Sequence, residues 1–193
     1  AAHDYGAGSI LLGAFGSSFD FYRRGRFVRR YAIGAPGVQN VSNAVGALAL
    51  AMELGAESGV MAEALARFTG AGRRFEVKGR AGGVTVVDDY AHHPTEIRAT
   101  LSAARRAATE AGGRLIAIFQ PHRYSRTRDF LEEFAKSFAA ADQLILTDVY
   151  AAGEPPIDGV DARVLARMTG ETLGGAPAVV RRRSDIAPAL AER

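Results

Sequence analysis

From residue 83 onward, short β-branched apolar runs alternate with helical periods. The runs are GVTVVDD (83–89), RLIAIF (114–119) and QLILTDV (143–149). Each is apolar without strict alternation, and helical spacing follows each one. That combination predicts an α/β fold with a Rossmann-like, mostly parallel sheet covered by helices on both faces. The helices are expected at about 94–108, 128–140 and 161–169, with a further strand at 176–180 and a last helix from about 185. Pro94 suits a first helical turn, where a missing N–H leaves no bond unmade. Phe130, Leu131, Phe134 and Phe138 define the apolar face of the second helix.

The residues before this region follow other periods. Phe19, Phe21, Phe27, Tyr31 and Ile33 fall at near-alternate positions around RRGR, which predicts β structure over 8–33 with a hairpin. GAPG (34–37) punctuates it. Val41, Ala44, Val45, Leu48, Ala51 and Met52 then recur every three to four positions, so 40–54 is a helix with one buried stripe. Val60, Met61, Ala64, Leu65 and Phe68 predict another over 58–69, closed by Gly70. The glycines and paired arginines of GAGRRFE mark a boundary, giving domains 1–71 and 72–193.

Composition narrows the chemistry. There is no cysteine, which excludes disulfides, thiolate metal sites and a cysteine nucleophile. No apolar run approaches the ~18–20 residues that span a bilayer, so a soluble protein with no membrane partner is expected. The net charge is +3, and all but Lys78 and Lys136 of the 24 basic residues are arginine. They are scattered from Arg23 to Arg193 without the interleaved aromatics that stack bases, so nucleic acid is not the expected partner. The runs Arg23–Arg30 and Arg181–Arg183 read as solvated faces. Scattered guanidiniums favour anionic small molecules. The opening AAHDYGAGSI, without methionine, suggests a fragment.

Ligands of open parallel sheets bind beyond the carboxyl ends of the strands. Three polar clusters follow the three strands: DDYAHHP, QPHRYSRTR and DVYAAGEPP. DDYAHHP allows several readings. A metal would need Asp88, Asp89, His92 and His93 together, but adjacent histidines seldom both point inward and no HxH or HxxxH spacing is present. Asp88 could instead cap a turn with the histidines exposed, or the loop could form one wall of a ligand crevice. In QPHRYSRTR, Arg123, Arg126 and Arg128 are either a solvated basic loop or a carboxylate or phosphate grip. His122 suits packing as well as ligand contact. GRRFE reads as linker. Asn40 and Asn43, at i and i+3, either cap a helix or read the edge of a planar heterocycle.

Together PGVQNVSNA, GAGRRFE, VVDDYAHHPTEI, FQPHRYSRTRDF and VYAAGEPPIDGVD, in this order over about 34–161, resemble the Mur ligases. These are ATP-dependent amide-forming enzymes of peptidoglycan precursor synthesis. The resemblance implies a cytoplasmic bacterial ligase, and QPHRYSRTRDF favours the member that joins L-alanine to UDP-N-acetylmuramate through an acyl phosphate. It implies that Asn40, Asn43, Arg74, Asp89 and Tyr90 bind ATP, while His92, Arg123 and Arg126 bind L-alanine. Residues 1–71 then correspond to part of the family's central ATP-binding domain and 72–193 to most of its C-terminal domain. The family's glycine-rich phosphate loop with its G-K-T lysine is absent, as are the glutamate and histidine that hold Mg2+. Gln39 stands where relatives commonly have histidine. These 193 residues alone are therefore expected to be inactive. Another Mur-type ligase acting on murein tripeptide, and a non-catalytic nucleotide- or anion-binding module, are the alternatives.

Overall fold

The structure, a computed structural model, describes residues 4–174, 178–180 and 183–191. Contacts divide the chain into two compact units, Ala1–Tyr90 and Ala91–Arg193.

The first unit opens with an antiparallel sheet of β1 (Tyr5–Leu12), β2 (Ser17–Arg23) and β3 (Arg26–Ile33), in that order. Helices α1 (Val38–Glu53) and α2 (Ser58–Arg67) follow. Phe19, Phe21, Tyr31 and Ile33 form one core with Val41, Ala44, Leu48 and Met61. Phe27 departs from the alternating expectation: it is 58% exposed. Between Phe21 and Tyr22 the register shifts, with Phe21 opposite Arg29 but Tyr22 opposite Phe27. This bulge inserts Val28, turns it towards the core and rotates Phe27 to the other face, edge-on to Tyr22. On α2 the expected stripe is also narrower, because Val60 and Phe68 are exposed while Met61 and Leu65 pack.

Two further strands, β4 (Glu76–Ala81) and β5 (Val84–Asp88), form an antiparallel hairpin. Here the sequence expectation is corrected. The run VTVVD is not the first strand of a parallel sheet; β5 pairs with β4, which was not anticipated as a strand. The cause is the two-residue turn Gly82–Gly83, with φ of 55° and 78°. Ala81 lies opposite Val84, so the chain reverses through two positive-φ residues, which glycine adopts without a Cβ clash.

The second unit holds the parallel sheet, ordered β6 (Ile116–Phe119), β7 (Gln143–Thr147) and β8 (Ala178–Val180). Helix α3 (Pro94–Glu110) precedes β6, and α6 (Ala162–Leu173) connects β7 to β8. The expected helix over 128–140 starts earlier and is broken: α4 (Tyr124–Asp129) and α5 (Leu131–Lys136) meet at Phe130, whose φ of −119° is not helical. The Phe119 ring packs tilted against Phe134 and Phe138 at 5.6 and 5.3 Å within a core that includes Ile97, Leu101, Leu146 and Leu165. Burial of such aromatic and aliphatic side chains stabilises by about 1.5–3 kcal/mol each. A short helix α7 (Ile186–Ala191) ends the described chain. Arg181 and Arg182 lie outside the described residues.

Of the three polar clusters, only those after β6 and β7 lie at carboxyl ends of parallel strands. The cluster after β5 follows a hairpin strand instead. No described helix is long and apolar enough to cross a membrane.

Candidate ligand site

In the first unit, three of the five candidate nucleotide residues, Arg74, Asp89 and Tyr90, lie at a single turn. Arg73 and Phe75 both have positive φ, 56° and 51°. Their N–H groups are taken by carboxylates: Arg73 N donates to Glu76 Oε2 at 2.8 Å, and Phe75 N donates to Asp89 Oδ2 at 2.8 Å. Tyr90 N donates to the Arg73 carbonyl at 2.7 Å, tying the end of the hairpin to the same turn. Asp89 and Tyr90 are thereby fixed by backbone bonds to 73–75, while the Arg74 side chain is exposed. Arg73 is the residue that the sequence reading passed over. Its guanidinium lies 4.8 Å over the Tyr90 ring and 3.3 Å from Asp88 Oδ2. Asp88 thus has a partner in the turn, which spacing alone did not reveal.

Asn40 lies within α1, which Gly37 precedes as N-cap with φ 99° and no side-chain cap. Asn40 Nδ2 donates to the Pro36 carbonyl at 2.7 Å, leaving its amide oxygen as an acceptor. Asn43 is exposed one turn later. Offering an acceptor fits an adenine-like edge, whose exocyclic amine donates.

In the second unit, His92, Arg123 and Arg126 come together with residues that the sequence did not rank. The two adjacent histidines have separate work. His93 caps α3 by accepting from Thr95 N at 3.3 Å, with Glu96 reaching back to the His93 N–H in a capping box. His92 also donates its N–H to Glu96 at 3.0 Å, and its Nδ1 lies 3.6 Å from the same carboxylate. The His92 and His122 rings are 6.3 Å apart.

His122 and Arg123 occupy the loop after β6, and Tyr150 and Glu154 the loop after β7. A parallel bridge joins His122 to Tyr150: Arg123 N donates to the Tyr150 carbonyl and Tyr150 N to the Pro121 carbonyl, both at 2.8 Å. Arg126 Nη1 lies 3.3 Å from His122 Nδ1. A guanidinium only donates, so this contact assigns His122 Nδ1 as acceptor and the imidazole as neutral. Burial pushes the His122 imidazole below its usual value, and the charges of Arg126, Arg123 and His92 add to this against Glu154. Glu154 accepts from Ser125 N at 2.9 Å and Ser125 Oγ at 2.7 Å. These bonds, with Arg123 nearby, hold its carboxyl below the ordinary range despite some desolvation. Arg123 is exposed and Arg126 half-buried, three positions apart at the start of α4. Such a pair, steadied by a neutral acceptor and a cross-loop carboxylate, suits a single carboxylate ligand.

Among the described residues no three of His, Cys, Asp or Glu converge to hold a metal ion. The described residues thus form no all-protein metal cage, whereas Mg2+ is commonly held by one or two carboxylates together with nucleotide phosphates.

Residues 73–192 match the family described as Mur ligase, glutamate ligase domain, and the chain belongs to the Mur ligase family. Within it, the chain is similar to enzymes named UDP-N-acetylmuramate–L-alanine ligase. It is 49% identical to that of Geobacter sp. (strain M21) over 166 residues, covering 86% of this chain and 36% of the relative. It is 48% identical to that of Sorangium cellulosum (strain So ce56) over 168 residues, covering 87% and 36%. The crystal structure of UDP-N-acetylmuramate-alanine ligase MurC from Thermotoga maritima superposes with a TM-score of 0.79 at 26% identity, covering 96% of this chain and 39% of that one. The chain thus spans little more than a third of the length of the curated relatives it matches.

Proposed function

We propose that the protein to which these residues belong is a cytoplasmic, ATP-dependent ligase that joins L-alanine to UDP-N-acetylmuramate in peptidoglycan precursor synthesis. The observation that carries this reading is the placement of Arg123 just before one short helix and Arg126 within it, with His92 and a neutral His122 nearby. It is supported by the names of relatives that are nearly half identical.

In this reading Arg123 and Arg126 grip the carboxylate of the incoming amino acid, and His92 closes the same pocket. Asn40 and Asn43 meet the adenine edge, Arg74 reaches the phosphates, and Asp89 with Tyr90 lies along the ribose. ATP phosphorylates the muramoyl carboxylate. The amine of alanine attacks the acyl phosphate, and inorganic phosphate leaves as the amide forms. These residues do no covalent chemistry. They place the amine and hold charge, which is where such reactions gain most of their rate. Mg2+, which ATP-dependent ligases of this kind use, is assigned no ligand among the described residues. Residues 1–193 contain no G-K-T phosphate loop, so this stretch alone does not turn over.

The test is ADP release by the full-length protein with UDP-N-acetylmuramate and, in turn, L-alanine, L-serine, glycine and murein tripeptide. Alanine is the expected preferred acceptor. Preference for tripeptide would replace this reading with a recycling ligase, and absence of release with every acceptor would leave a binding module.

A further inference from the structure

The loop after β7 reaches across to the arginine-bearing helix at one point that the proposed function does not use. Arg123, the residue before α4, has φ 72° and ψ 136°, a backbone conformation far easier for glycine than for arginine. Its own side chain makes no capping bond to the helix that it begins. The first turn of α4 nevertheless has an acceptor, because Glu154, 29 residues away in sequence, receives both Ser125 N and Ser125 Oγ. Glu154 Oε1 also lies 3.9 Å from Arg123 Nη1. At that separation the pair is loose, so the guanidinium is oriented while most of its five donors remain available to a ligand.

We infer that Glu154 is the positioning residue of the amino-acid pocket, a brace from the β7 loop that holds Ser125 and Arg123 so that Arg123 and Arg126 present a preset carboxylate grip. The inference rests on the proposed function for the identity of the ligand. Its physical content is separate: without the brace, α4 loses its cap and a strained residue loses its restraint. The two arginines must then be ordered by the substrate at each encounter. The bonds from Arg123 N and Tyr150 N fix the backbone of the two loops, and Glu154 joins a side chain of one to the helix of the other.

The test uses the full-length enzyme with Glu154→Ala, Glu154→Gln and Ser125→Ala, reading KM for L-alanine, KM for ATP and the thermal midpoint. Glu154→Ala is expected to raise KM for alanine about tenfold or more with KM for ATP within about twofold. Glu154→Gln can still accept from Ser125 N, and its amide can donate to Ser125 Oγ. It is expected to stay within about threefold of the parent on both substrates. Ser125→Ala removes one of the two bonds and is expected to fall between them. Equal rises in both Michaelis constants, an unchanged KM for alanine in Glu154→Ala, or a Glu154→Gln as impaired as Glu154→Ala would each overturn the brace. If Glu154→Ala does not fold, the Ser125→Ala and Glu154→Gln results decide by the same comparison. Failure of the parent enzyme to use alanine at all would instead remove the proposed function, which these variants leave untouched.

Discussion

Phe75 donates its backbone N–H to the Asp89 carboxylate at 2.8 Å, although 14 positions separate the two residues. The bond closes a turn in which Phe75 itself has φ 51°. Asp89 therefore has a structural duty besides the nucleotide contact proposed for it. Asp89→Ala is expected to destabilise these 193 residues by about 1 kcal/mol, since a half-buried N–H loses a charged acceptor. Urea titration of the purified polypeptide measures this. A midpoint equal to the parent's would show that water satisfies the N–H equally well.

At the tip of the β4–β5 hairpin, Gly83 has φ 78° and open space around its missing Cβ. Gly83→Ala is therefore opposed by backbone conformation alone, not by collision. The expected cost is about 1 kcal/mol. Gly82→Asn, which tolerates positive φ, should cost clearly less. Chemical denaturation of the two variants side by side gives the comparison, and reversal of their order would contradict the turn geometry.

His122 ionises at lower pH in the folded chain than in the unfolded one, with burial the main cause. Between the two values the unfolded chain binds more protons, so stability rises with pH there. The contribution is fully present above about 6.5, the ordinary histidine value, and is lost as pH falls from there towards the folded value. Arg126, Arg123, His92 and Glu154 set the charges around the ring, and Tyr150 covers it at 5.4 Å. Denaturant midpoints measured from pH 7.5 to 5 should fall more steeply for the parent than for His122→Gln. Parallel curves would remove His122 as the source.

Much of the fold is legible in the sequence alone. Helical spacing placed α1 and α3 because each buries one stripe, and the apolar runs at 114–119 and 143–149 gave the parallel pair β6 and β7. The run at 83–89 misled because a β-branched strand looks the same whether its neighbour is parallel or antiparallel. Gly82–Gly83 was the informative signal, and it pointed to a hairpin. Phe27 was misplaced because a bulge shifts the alternation by one, and nothing in the spacing announces a bulge. At the site, residue types leave Arg123, Arg126 and Arg128 as either a solvated loop or an anion grip, and it is the resemblance to the Mur ligases that points to His92, Arg123 and Arg126. Their supports, Glu96, Ser125 and Glu154, are common surface residues whose role exists only once loops far apart in sequence meet.

Arg126→Ala in the full-length enzyme should raise KM for L-alanine about ten- to a hundredfold, with a far smaller change for ATP. Loss of one guanidinium from a carboxylate grip weakens ground-state binding of that substrate selectively. Steady-state kinetics with each substrate varied in turn separates the two constants. Equal effects on both would argue against a carboxylate role and for a general disturbance of α4.

Arg123 has a backbone that glycine would relax and a side chain that, in the proposed carboxylate grip, a ligand would miss. Directed evolution would treat such a position in opposite ways according to what is selected. A screen for heat tolerance alone would favour residues that relieve the backbone, whereas a screen for turnover would keep arginine and tolerate the strain. Position 123 is therefore where a hardened variant of this protein would first be expected to become an idle one.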